Sequence, residues 1–142
     1  REHGTAMMKD LFILGILSAL YSMAVCKEMM ADEKFELPCL IEANVTEADL
    51  KKFRSNGLKA NEANANIKCM AKCLMEKREV LKKGVFDPEK VYADLIRMPE
   101  LKGLEDQIKE AINICKTEKG ANDCDTAFKI TMCLREFKSR NI

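Results

Sequence analysis

From Leu50 onward apolar side chains recur every three or four positions, the period of an α-helix that buries one face. No stretch alternates apolar and polar residues as a half-buried strand does, and no Asn-Gly hairpin flanked by such stretches appears. The expected class is therefore all-α, with about six short helices in one domain. Residues 29–44 begin polar and then carry Phe35, Leu37, Cys39, Leu40 and Ile41. Because Pro38 would break or open a helix, a short helix around Cys39 is expected there. Thr46 to Asp49 resembles a capping box, Leu50 and Phe53 face inward, and Gly57 stands where a helix stop belongs. A third helix is expected from Asn61 or Glu62 to Lys82, with Ile67, Met70, Ala71, Leu74 and Leu81 on one face and Gly84 ending it. Asp87-Pro88 opens a fourth, carrying Val91, Tyr92, Leu95 and Ile96, which Met98-Pro99 closes. Leu101, Leu104, Ile108, Ala111, Ile112 and Cys115 form the stripe of a fifth, expected to end at Lys119-Gly120. A sixth starts near Asp123 and carries Cys124, Ala127, Phe128, Thr131, Cys133, Leu134 and Phe137.

The third helix holds two cysteines, Cys69 and Cys73, four residues apart. At that spacing they share a helix face about 6 Å apart. Their side chains lean the same way along the helix, which makes a bridge between them awkward. Each should bond to a different distant segment, so this helix is expected to clamp the rest.

Residues 1–26 read as a leader: Arg1–Ala6 upstream, then Met7 and Met8 as starts, Lys9 as the positive region, and an apolar run from Leu11 to Leu20. Ala24 and Cys26 are the small residues of a cleavage site, so the cut is expected after Cys26, leaving 27–142 as the single domain. The apolar run is about half of the ~20 residues needed to cross a bilayer, so no stable membrane insertion is expected. Removing Cys26 turns seven cysteines into six, an even set that implies three disulfides in an oxidising, secretory compartment. A cut after Ala24 would leave Cys26 as a free thiol.

The chain has 24 basic and 23 acidic residues, a net charge of +1, and the leader takes two of each sign. With no basic footprint and no Trp, nucleic acid is not an expected partner. The single histidine, His3, falls in the leader, which removes the commonest general base, metal ligand and near-neutral pH sensor from the domain. No catalytic residue, metal site or cofactor is expected, and the chain does not read as an enzyme. A zinc site would favour C-x2-C turns and histidine. A secreted phospholipase would need a histidine, and a saposin-like membrane protein spaces its cysteines differently.

In order, the spacing is Cys39-x29-Cys69-x3-Cys73-x41-Cys115-x8-Cys124-x8-Cys133. It resembles the six-cysteine signature of insect odorant-binding proteins, the pheromone-binding and general-odorant-binding superfamily, and the likeness covers the whole mature chain. Six cysteines admit fifteen pairings; the resemblance implies Cys39 with Cys73, Cys69 with Cys124 and Cys115 with Cys133.

It also implies a secreted carrier with an apolar cavity for a small hydrophobic ligand, an odorant, pheromone-like compound or long-chain fatty acid, delivered to a chemosensory receptor by a monomer or weak homodimer. Pocket residues carried over are Leu74, Met75 and Val80, then Phe86, then Leu101, Ile108 and Ala111, and on the last helix Ala127, Ile130 and Leu134. Leu50, Phe53, Met70 and Leu95 join them from periodicity alone. A cavity of about 300 to 500 Å³ is expected, at a cost of about 7 to 12 kcal/mol. Three disulfides at about 2 to 4 kcal/mol each would offset it. Hydroxyls are scarce on the inner faces, with only Thr131 nearby, which favours a long apolar ligand. For a fatty-acid carboxylate the eligible cations are Arg54, Lys82, Lys83 and Arg97. Some relatives release ligand at low pH through histidines and a long C-terminal segment. With no mature histidine and a tail of only Leu134–Ile142, that mechanism is not expected here, and any pH effect should begin near about pH 4 to 5.

Overall fold

The structure, a computed structural model, describes residues 34–141. The chain divides into two units, Arg1–Glu36 and Leu37–Ile142. Of the first, only residues 34–36 are described, and they are helical. The expected leader, its cut after Cys26, and His3 lie outside the described residues.

Helix α1 covers residues 34–42. Pro38 lies inside it rather than breaking or opening it. The ring deletes one backbone bond, and the turn that follows, closed by the Ala43 N–H on the Cys39 carbonyl at 3.0 Å, carries the helix past it. Helix α2 spans Glu47–Ser55. Thr46 caps it by accepting the Asp49 N–H at 3.0 Å, and Leu50 and Phe53 are its buried face. A 3-10 turn, Ala60–Glu62, leads to helix α3, Ala65–Lys77, whose cap Asn64 accepts the Ile67 N–H at 2.9 Å.

The expected span of α3 was too long at both ends. Its start is fixed by Asn64, whose extended backbone (ψ 173°) leaves the side chain to satisfy the first turn. Its end is fixed by Glu79, held at φ 60°. Beyond it Leu81–Lys82 (β1) and Val85–Phe86 (β2) form a short antiparallel pair, Leu81 opposite Phe86 and Lys82 opposite Val85. Lys83 (φ 51°) and Gly84 (φ 78°) are the two-residue turn between them, the geometry that matches strand twist. Gly84 therefore turns a hairpin and does not stop a helix. The expectation of no strands fails at these four residues, too few to show an alternating pattern.

Helix α4, Pro88–Leu95, starts at Asp87, which accepts the Lys90 N–H at 3.0 Å. A 3-10 turn at Pro99–Leu101 takes Leu101 out of the fifth helix, and α5 runs Glu105–Cys115. It stops short of the expected Lys119-Gly120 because the Thr117 hydroxyl bonds back to the Ile114 carbonyl at 2.7 Å, competing with continued helix. Helix α6, Asp123–Asn141, begins where Asn122 accepts the Asp125 N–H at 2.9 Å. Among the described residues no helix is long and apolar enough to cross a membrane.

Three disulfides join these elements: Cys39–Cys73 ties α1 to α3, Cys69–Cys124 ties α3 to the start of α6, and Cys115–Cys133 ties the end of α5 to the middle of α6. This is the pairing the family resemblance implied. The apolar interior forms two clusters. One gathers Leu40, Val45, Leu50, Phe53, Ile67, Met70 and Phe128. The other gathers Met75, Val80, Leu81, Val91, Leu101, Ile108, Ile112, Ile130 and Phe137. Helices α3 and α6 make the most extensive packing of any pair and contribute to both clusters.

Helices α1, α2 and α3 end in the same way. The residue one past the cap is left-handed, and two N–H groups fold back on the last turn: Asn44 on Ile41 with Val45 on Leu40, Gly57 on Arg54 with Leu58 on Phe53, and Glu79 on Glu76 with Val80 on Met75. Glycine suits this position, and a β-carbon at Gly57 would meet open space, so only backbone strain separates the residue types there. Urea denaturation should therefore show Gly57→Ala losing about 1 kcal/mol. Glu79→Gly should stay within about 0.5 kcal/mol of the parent or exceed it. A loss of about 1 kcal/mol or more for Glu79→Gly, the ordinary cost of glycine in a helix, would contradict the strain at that residue.

Candidate functional site

Where the two clusters meet, three helices present the same spacing to one hollow. From α3 come Ala71, Leu74, Met75 and Arg78; from α4 and the residues just after it, Val91, Asp94, Leu95 and Met98; from α6, Thr131, Leu134, Arg135 and Lys138. Each set steps by three, four and seven residues, the face of a helix over two turns. Val80, just before the hairpin, completes the lining. The volume is about 270 Å³, and the hollow is open on one side. Its wall is predominantly apolar and its charged groups stand at the rim. Lys90 pairs with Asp94 at 2.6 Å, and Lys138 with Glu100 at 3.1 Å. Inside, the Thr131 hydroxyl donates to the Ala127 carbonyl at 2.9 Å and lies 3.4 Å from the Met75 sulfur.

Of the residues expected to line a pocket, the structure brings Leu74, Met75, Val80, Leu95 and Leu134 together here. Phe86, Ala127 and Ile130 instead line a second groove of about 520 Å³ beneath the hairpin, with Leu81 and Val85. Ala111 lines a surface hollow between α5 and α6. Leu101 and Ile108 are fully enclosed by other side chains, each with 0% exposure. Leu50, Phe53 and Met70 belong to the first cluster, where Phe53 meets Phe128 with ring centroids 6.2 Å apart. The interior is thus two packed cores flanking an open-sided pocket, not one large chamber.

Sequence reasoning missed Ala71, Val91 and Met98, and it missed the polar rim altogether. Extending the Leu74, Thr131 and Leu134 faces by one turn would have reached Arg78, Arg135 and Lys138. None of the cations considered for a carboxylate, Arg54, Lys82, Lys83 or Arg97, lines this pocket, and Lys82 pairs with Asp87 at 3.2 Å.

The electrostatics nearby are those of a scaffold. Asp125, in the first turn of α6, accepts from Lys68 of α3 at 2.6 Å and from the Ala121 N–H at 3.0 Å, with Lys129 at 3.7 Å. These contacts, Lys68 foremost, hold its carboxyl below the usual aspartate range. The Lys90 N–H and then Lys82 do the same for Asp87, and for Glu100 its own backbone N–H and then Lys138. A carboxyl whose folded-state pKa is depressed stabilises the fold above its unfolded pKa, and that contribution disappears as pH falls through the folded value. Stability should therefore be nearly flat from about pH 7 to about 5 and decline below about pH 4. Asp125→Asn should be less stable than the parent near neutrality and approach it in strong acid. Equal deficits at both pH values would deny the Lys68–Asp125 pair this role.

Comparison with known proteins adds the family context. Residues 23–137 match the PBP/GOBP family. General odorant-binding protein 56a of Drosophila melanogaster is 33% identical over 138 residues, covering 92% of this chain and 95% of its own. Odorant-binding protein 10 of Aedes aegypti is 32% identical over 107 residues, covering 75% and 72%. Among solved structures, one described as fatty acid binding protein OBP56a from the oral disk of the blowfly Phormia regina superposes with a TM-score of 0.64. It is 30% identical and covers 80% of this chain and 94% of its own. Drosophila melanogaster OBP28a superposes at 0.62 with 19% identity, a likeness of fold alone, covering 80% and 95%.

Proposed function

The chain belongs to the PBP/GOBP family, and from that premise we propose that it carries a small hydrophobic ligand in the hollow between α3, α4 and α6. The observation that supports this site is the convergence of Leu74, Met75, Val80, Val91, Leu95 and Leu134 on one open-sided apolar volume. Burial of an apolar chain there removes its surface from water at about 25 cal/mol per Å². A wall containing Met75 and Met98 can adjust to chains of different length.

A fatty acid is the ligand class we favour over a small alcohol. The similar blowfly protein is described as fatty acid binding, and this pocket offers a single interior hydroxyl against a long apolar wall. The hollow lies just under the usual ligand-pocket range of about 300 to 1,000 Å³, so a long chain would occupy it with part of its length at the open side. Secretion and delivery to a chemosensory receptor complete the reading. It is supported by the apolar leader, by three disulfides suited to an oxidising compartment, and by the relatives' naming as odorant-binding proteins.

Thermal melting of delipidated protein tests the carrier reading. A saturating fatty acid at 100 times its Kd should add about 2.7 kcal/mol and raise Tm by several degrees. No shift would contradict it. Leu134→Trp, which fills the hollow at a half-buried position, should abolish the shift while leaving the helical circular dichroism intact. Since residues 34–141 contain no histidine, binding should persist at about pH 5.5. Complete loss by about pH 6 would mean that some group other than the carboxylates described governs release.

A further inference from the structure

The polar groups of the pocket lie at two depths, and they favour opposite partners. Thr131 is half-buried in the wall, and the two acceptors its one proton meets, the Ala127 carbonyl at 2.9 Å and the Met75 sulfur at 3.4 Å, both belong to the protein. Toward the hollow it offers only lone pairs. An ionised carboxylate is also an acceptor only, so placed inside it would lose its hydration and face another acceptor. At the rim the balance is reversed. Asp94 and Lys138 are each neutralised by a partner, Lys90 and Glu100. Arg135, exposed and four residues along the same face of α6 from Thr131, takes part in no ion pair among the described residues. Arg78 stands on the same rim, at the end of α3.

We infer that the pocket takes its amphiphile tail first, with an anionic head on the Arg135 guanidinium and the chain running inward past Leu134 toward Thr131 and Met75. Four residues of helix separate Arg135 from Thr131, about 6 Å along the axis, so head and inner tail contact successive turns of one helix. A guanidinium suits this task because its fork meets both carboxylate oxygens at once. An alcohol, which brings its own proton, is free to reverse and donate to Thr131. Arg135 therefore determines selectivity for acids over alcohols and esters, and it does so without contributing to the apolar wall. The inference rests on the carrier reading of this pocket.

Its test compares dodecanoate, its methyl ester and 1-dodecanol on the same protein by displacement of a fluorescent probe. Arg135→Gln should weaken dodecanoate about 5- to 10-fold, and leave the ester and the alcohol within about twofold of the parent. Arg135→Lys should recover part of the loss, since the charge returns without the fork. Thr131→Val should leave dodecanoate within about twofold and weaken the alcohol. Dodecanoate binding unchanged in Arg135→Gln, or acid and ester falling together, overturns the assignment. So does a Thr131→Val loss on the acid as large as that of Arg135→Gln. Failure of the carrier reading looks different: none of the three compounds would displace the probe from the unmodified protein.

Discussion

Helix α3 carries two covalent bonds on one of its faces. Cys69 and Cys73 lie one turn apart and bond to different elements, to Cys124 at the start of α6 and to Cys39 in α1. The two bonds anchor α3 to both of those helices one turn apart, and the one to Cys124 restricts how α3 can slide against α6, the pair with the most extensive packing. Lys68 and Asp125 repeat the Cys69–Cys124 tie with an ion pair beside it. Cys115–Cys133 then sets α5 against the middle of α6, two residues beyond Thr131. Three faces of the pocket follow: those of α3 and α6 directly, and that of α4 through its packing on α5.

This arrangement explains how an apolar hollow survives in a small protein. Two packed clusters supply the ordinary hydrophobic stabilisation, and the pocket occupies the seam between them rather than the centre of either. As an enclosed void, about 270 Å³ would cost about 6 kcal/mol at ~24 cal/mol per Å³, and the open side lowers that. Three disulfides at about 2 to 4 kcal/mol each are of the same size. Cross-links act on the unfolded chain, so they stabilise the fold without filling the seam.

Much of the fold was legible because its signals are local. Thr46 and Asp87-Pro88 mark helix starts through capping chemistry, and the cysteine spacing carried the disulfide pairing by family resemblance. What was not legible depends on one or two dihedrals. Glu79 in a left-handed conformation ends α3 with no glycine to announce it, and Lys83-Gly84 turns a hairpin of four residues that no periodicity can detect. The site was legible in part for a related reason. Helical spacing identifies which residues face inward, but it does not separate Leu101 and Ile108, enclosed by their own core, from Leu74 and Leu134, which reach the seam. That distinction lies in how the helices pack on one another, a tertiary property. The rim arginines lie one turn beyond Leu74 and Thr131, where the apolar period that marks an inward face gives out.

The claim on which the account rests is that ligand occupies the seam between the clusters, and methyl-resolved NMR of the protein titrated with a fatty acid tests it most directly. The account predicts that the methyl signals of Leu74, Met75, Val80, Val91, Leu95 and Leu134 shift together with ligand, while those of Leu50 and Ile67 in the first core stay in place. Shifts concentrated on Leu81, Val85 and Ile130 would move the site to the groove beneath the hairpin and contradict it.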